Sequence, residues 1–180
     1  MKEKVSPAKS GIQLGVLFGF IMILEFVIMY VVGLESLLDG PVGLTVNLLN
    51  YIVFPFLFIF LACNNYKKNV NNGFASFTDC LKAGVALMFI AGLVYAIFNL
   101  LFNLIFPEFI DELVGIMRSA ALKKSPEMTT EQLNMVVSMQ RKFLNPLIST
   151  PVTIAMYSFF GLIYSLIIAA IVKKDQPQSF

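Results

Sequence analysis

The chain has no histidine, no tryptophan and only two cysteines. Without histidine it lacks the commonest protein metal ligand and the commonest general base at neutral pH. Cys63 and Cys80 follow no pairing pattern. Charge is scarce as well, with 13 Lys and Arg against 11 Asp and Glu in 180 residues and a net charge of +2. The lysines gather at the ends of apolar runs instead of forming a basic stripe, which argues against nucleic acid as a partner. No Gly-rich phosphate loop, nucleophile elbow, zincin helix or kinase-type set occurs. The expectation is a protein that is not an enzyme and has no catalytic residues, no cofactor and no metal.

What the chain has in excess is apolar length. Hydrophobic residues make up 58% of it, and its mean hydropathy is +0.80. Gly11 to Gly33 carries one ionisable residue, Glu25, in a run long enough to cross a bilayer, which takes about 20 residues. Lys2, Lys4 and Lys9 before it resemble the basic start of a signal peptide. The run exceeds the ~7–15 residues of a signal core and ends without a small-residue cleavage site, so an uncleaved anchor is expected.

Four spans are predicted, at about 12–32, 42–62, 80–106 and 146–172, in one membrane domain covering 1–180. The fold class is all-α, an integral membrane four-helix bundle with an extra-membrane helical hairpin between spans three and four. Pro55, near the middle of span two, predicts a kink that a packed bundle tolerates. Asn64 to Lys68 and Asn71-Asn72-Gly73 have turn composition, and Ser76-Phe77-Thr78-Asp79 reads as the capped start of span three. In the 107–145 region, Phe109, Leu113, Ile116, Met117 and Ala120 recur at helical spacing. Ser125-Pro126 breaks that pattern, Thr129-x-x-Gln132 resembles a capping box, and a second amphipathic stretch follows.

Eight lysines (2, 4, 9, 67, 68, 82, 173 and 174) fall on one side of the membrane in short segments. The short loop on the other side, with Glu35 and Asp39, has none, and the hairpin's five basic residues are matched by five acids. The positive-inside rule then places both termini in the cytoplasm and the hairpin in the periplasm, in the bacterial inner membrane. Cys63 and Cys80 would face the reducing side, where no disulfide is expected.

Polar residues within the spans are the candidates for a site. Counting depth at about 1.5 Å per residue puts Glu25, Asn50 and Asn99 in one layer of the outer half, with Asn47 and Asn103 nearer the surface and Tyr157 and Ser158 within reach. An intramembrane acid is costly and usually faces a partner or a water path. Glu25 is read either as a proton or cation site or as a protonated or amide-paired group that locks helix register. The absence of a basic partner in any span favours the second.

Gly11, Gly15 and Gly19 form a small-residue ladder on one face of span one, and Ser158, Gly161, Ser165 and Ala169 form a companion stripe on span four. Close packing of spans one and four through these faces is expected, with homo-oligomerisation as an alternative use of the ladder. Met117, Met128, Met135 and Met139 give the hairpin apolar faces that would lie on the membrane surface or on each other. No Cys or His supports soft-metal capture by them.

Several stretches taken in order resemble a known family. They are the Gly11/Gly15/Gly19 ladder, Gly73-Phe74-Ala75-Ser76-Phe77, Pro107-Glu108-Phe109, Met128-Thr129-Thr130-Glu131-Gln132 and the ending from Phe160-Gly161-Leu162 to Val172-Lys173-Lys174. Together they resemble the small four-span membrane proteins of Bacteroidetes-type bacteria grouped as domain of unknown function 4199. The resemblance covers nearly the whole chain. It implies a four-helix inner-membrane protein with a helical insertion between spans three and four, and brings no activity or catalytic residues with it.

The function expected is that of an accessory or scaffold subunit, in contact with membrane lipid and meeting a membrane-protein partner through the hairpin. The alternative is a small transporter or ion-conducting homo-oligomer using Glu25 and the neighbouring asparagines.

Overall fold

The computed structural model describes residues 6–35 and 41–176. Lys2, Lys4 and Asp39, used above in assigning the two sides, lie outside the described residues. Four helical segments are long and apolar enough to cross a membrane: Pro7–Val32, Pro41–Val70, Phe77–Ile105 and Pro146–Val172, with hydropathies between 2.1 and 2.5. No β-strand occurs among the described residues, and the fold is an all-α bundle of membrane type.

Helix α1 (Pro7–Val32) begins on a proline, whose missing N–H costs nothing at a helix start. It ends at Gly33, which takes φ 118° and donates its N–H to the Met29 carbonyl. Span two is broken into α2 (Pro41–Leu48), a π-helical turn (Leu49–Val53), α3 (Phe54–Asn65) and a second π turn (Tyr66–Val70). The sequence predicts a kink at Pro55; the structure absorbs the proline in the wider π turn before it. Pro55 has no N–H for the carbonyl of Tyr51 one turn back, and the hydroxyl of Tyr164, on span four, donates to that carbonyl at 2.6 Å.

Span two also runs past Ala62 to Val70, so Asn64 to Lys68 is helical and not a turn. The polar side chains there pair with helix backbone: Asn64 donates to the Phe60 carbonyl at 3.2 Å, and Lys67 Nζ to the Val172 carbonyl at 2.8 Å. The turn comes at Asn72 and Gly73, both with positive φ. Helix α4 (Phe77–Ile105) then starts on a full capping box between Ser76 and Asp79.

Helix α4 is the centre of the bundle. Helices α1 and α7 (Pro146–Val172) pack along different faces of it, and α3 touches all three. Spans one and four are therefore not partners of each other, contrary to the expectation from their small-residue stripes. Each stripe finds its complement on α4. A methyl group added at Gly11 or Gly15 would fall within 3.0 Å of the carbonyl oxygens of Ala83 and Leu87, and one at Gly19 would meet Val94 at 2.8 Å. On the other face, Gly161 lies against Met88, Gly92 against Tyr157 and Gly84 against Ser165. Ser158 donates to its own helix, at the Ile154 carbonyl, and lines a groove with Val85 and Phe89 of α4.

The end of the bundle that carries the termini is tied by an antiparallel bridge between Ala75 and Lys174, with bonds of 2.9 and 2.8 Å. Cys63 and Cys80 are free and buried there, Cys63 Sγ facing the Cys80 carbonyl at 3.6 Å. At the opposite end stands the hairpin of α5 (Phe109–Lys124) and α6 (Thr130–Leu144), with the Thr129–Gln132 capping box in place. An aromatic cluster mounts it on the bundle: Phe109 lies edge-on to Phe102 at 5.1 Å and to Phe26 at 5.5 Å, and Tyr30 edge-on to Phe102 at 5.2 Å.

Candidate functional site

The two halves of the bundle differ in how span two packs. Helix α3 is wedged among α1, α4 and α7, whereas α2 beyond the π turn buries only Gly43 and makes no comparable contact with another span. The extra residue per turn in a π segment shifts the helix face, and the hairpin-side third of span two stands off. Between it and α1, α4 and α7 lies a cleft of about 210 Å³. One turn along α1 from Met22 of its lining, toward the termini, buried Phe18 stacks on Phe58 at 5.2 Å and meets Phe54 edge-on at 5.9 Å.

Glu25 and Asn50 meet in this cleft. The Asn50 side-chain amide donates to Glu25 Oε2 at 2.5 Å, joining α1 to the π turn. Asn47 and Tyr157 line the same space, as the depth count predicts. Asn99 and Asn103 do not. Instead the Asn103 amide donates to the Asn99 carbonyl at 2.8 Å and to its side-chain oxygen at 3.2 Å, while the Asn103 side-chain oxygen is buried without a hydrogen-bond partner. Asn99 and Asn103 stand one and two turns beyond Tyr95, the α4 residue that lines the cleft, on its hairpin side.

Lining residues that the sequence reading left out of its candidate set are Tyr51 and Thr153, the apolar Phe26 and Met22, and, from α4, Tyr95. Tyr51 had a signal, since it directly follows Asn50 within an apolar span. It stacks on Tyr157 with centroids 6.0 Å apart, and Phe26 meets Tyr95 edge-on at 6.5 Å. Among the described residues the lining holds no Lys or Arg, and the side-chain oxygen of Asn50 is buried without a hydrogen-bond partner. Chemically the cleft offers one carboxyl group, two side-chain amides, of which that of Asn50 is spent on Glu25, the hydroxyls of Tyr51, Tyr95, Thr153 and Tyr157, and ring faces. Among the described residues no three His, Cys, Asp or Glu side chains gather as a metal set would require.

On the hairpin, Met117, Met135, Val136, Met139, Phe143 and Leu144 line an apolar groove of about 340 Å³. Met135, Met139 and Phe143 are more than half exposed, at 62, 56 and 60%. Asp111 and Arg141 form an ion pair across the hairpin.

Four apolar spans, three of them packed around α4, with a polar cleft at one end, define a multi-pass membrane protein. The chain belongs to the family described as Protein of unknown function (DUF4199), whose model matches residues 13–174. No curated protein and no solved structure matches it.

Proposed function

We propose that this protein is a non-enzymatic accessory or scaffold subunit of the bacterial inner membrane, with both termini in the cytoplasm and the hairpin in the periplasm. The observation that carries the reading is the hairpin itself. It is fixed to the bundle through Phe26, Tyr30, Phe102 and Phe109, yet turns Met135, Met139 and Phe143 outward. A mounted surface with exposed, adaptable methionines is suited to holding a partner protein. Lys9, Lys67, Lys68, Lys82, Lys173 and Lys174 at the opposite end support the orientation. The test is co-purification in mild detergent with the Met135, Met139 and Phe143 side chains cut to alanine. A stoichiometric partner of the parent protein should be lost; if every association and phenotype survives the triple change, the reading fails.

The Glu25–Asn50 pair favours a second reading, a small transporter or ion-conducting homo-oligomer. A path through one chain would have to cross the ring packing of Phe18, Phe54 and Phe58 and the backbone-close packing at Gly11 and Gly15. The expected signature is a pH-dependent flux in liposomes that Glu25→Gln abolishes, and wild-type protein without flux of any tested ion or lipid would end this alternative.

A further inference from the structure

We propose that the cleft is a binding site for a small alkylammonium group entering from the hairpin side of the membrane. The proposal stands apart from the accessory reading, which concerns the hairpin surface.

The charge of the cleft is one-sided, while its neutral polar groups are the amides of Asn47 and Asn50 and the hydroxyls of Tyr51, Tyr95, Thr153 and Tyr157. Glu25 brings a carboxyl group into a lining without Lys or Arg among the described residues, and Asn50 spends its donor on that carboxyl and leaves its own oxygen buried and unpaired. A buried acceptor without a donor is costly, so the complementary ligand carries several N–H donors and a positive charge. The rest of the wall selects among cations. Calcium and magnesium take six or more oxygen ligands, whereas here most of the wall is carbon and sulfur: Phe26, Tyr51, Tyr95 and Tyr157 with Met22 and Met156. Ring faces beside a carboxylate hold organic ammonium groups through the ring quadrupole. At about 210 Å³ the space is below the ~300–1,000 Å³ of drug-sized sites, so a headgroup-sized amine fits it better than a large one.

Depth and access agree with this ligand. Glu25 lies seven residues before the end of α1 and Thr153 seven after the start of α7, which places both about 10 Å in from the hairpin-side helix ends. The standing-off of α2, with only Gly43 buried, opens the cleft sideways at that level. The ammonium could arrive on an aminolipid headgroup or as a free amine; the chemistry recognised is the same.

The test uses the full chain, delipidated in mild detergent. Free amine is probed by calorimetry with ethanolamine against 1-propanol, its uncharged counterpart. Lipid is probed by native mass spectrometry with phosphatidylethanolamine against its N-acetylated form and phosphatidylglycerol. Saturable ethanolamine binding without propanol binding supports the site with a soluble source. Preferential retention of phosphatidylethanolamine supports it with a lipid source. In either arm Glu25→Gln should weaken binding by about tenfold or more, as loss of a charge-assisted bond does. Tyr51→Leu, which keeps the Glu25–Asn50 bond and the Tyr51 carbonyl, should weaken it roughly threefold to tenfold. Should Glu25→Gln not fold, the Tyr51 variant decides. Binding by neither probe, equal binding of the charged and uncharged partners, or variants as tight as wild type would overturn the proposal.

Discussion

Replacing Gly15 by alanine should open the contact between α1 and α4. The added methyl would fall within 3.0 Å of the Leu87 carbonyl oxygen, 3.1 Å from Ile90 Cβ and 3.2 Å from the Leu87 carbonyl carbon. Two of those atoms are backbone of a helix packed on three sides, so the side chain cannot simply rotate away. Restoring ordinary contact needs a separation of about 1 Å, enough to forfeit a quarter to a half of the dispersion energy at neighbouring contacts. Overpacking of this kind costs about 1–3 kcal/mol, and backbone as the obstacle puts Gly15 near the top of that range. For a chain of this length roughly 2–4 °C follows each kcal/mol, giving a drop on the order of 4–10 °C. Cys63 and Cys80 are both 0% exposed, so a thiol-reactive fluorophore in detergent reports unfolding directly. The matched control is Gly115→Ala in α5, where nothing lies within 4 Å of the new methyl. That change should be neutral or stabilise by about 0.5–1 kcal/mol, since alanine is the better helix former. A Gly15→Ala midpoint within a degree of wild type, or an equal fall in both variants, would refute the reasoning.

Tyr164→Phe should lower stability by about 0.5–1.5 kcal/mol, because the Tyr51 carbonyl left over by Pro55 would lose its donor; the same thiol assay measures it, and no change would mean the carbonyl finds another partner. Ser165→Ala should be neutral or slightly stabilising, as the Ser165 hydroxyl is buried without a hydrogen-bond partner and removing it ends a desolvation cost. A loss above about 1 kcal/mol would show that hydroxyl to be bonded across the α4–α7 contact.

The number of spans, the hairpin and both capping boxes were legible because each is encoded locally, in hydropathy or in residues three apart. Which helices touch was not. The stripes on spans one and four look complementary on paper, but small residues recur on two faces of α4, Ala83 with Gly84 and Ala91 with Gly92, and that doublet was the available signal for a central helix. The Glu25–Asn50 pairing could be approached from depth alone because both side chains point inward at one level. Asn99 and Asn103 could not be separated from them, since the cleft meets α4 at Tyr95, one turn short of Asn99, and how far the cleft extends along α4 is not encoded locally. The hydrogen bond from Tyr164 to the Tyr51 carbonyl spans 113 residues and leaves no trace in local pattern.

The central position of α4 also dictates an order of manufacture. Because α1 packs chiefly on the third span, it must wait in the bilayer, through the synthesis of the second, with its glycine face uncovered. When α4 arrives it closes on α1 but still lacks the helix for its other face, and Lys67 and Ala75 still lack Val172 and Lys174. Only the last span supplies these, so a nascent chain halted in the hairpin would leave two open seams. The fourth span is thus the piece that completes the packing around α4, and the bundle closes with its insertion and not with that of α1 or of α4 itself.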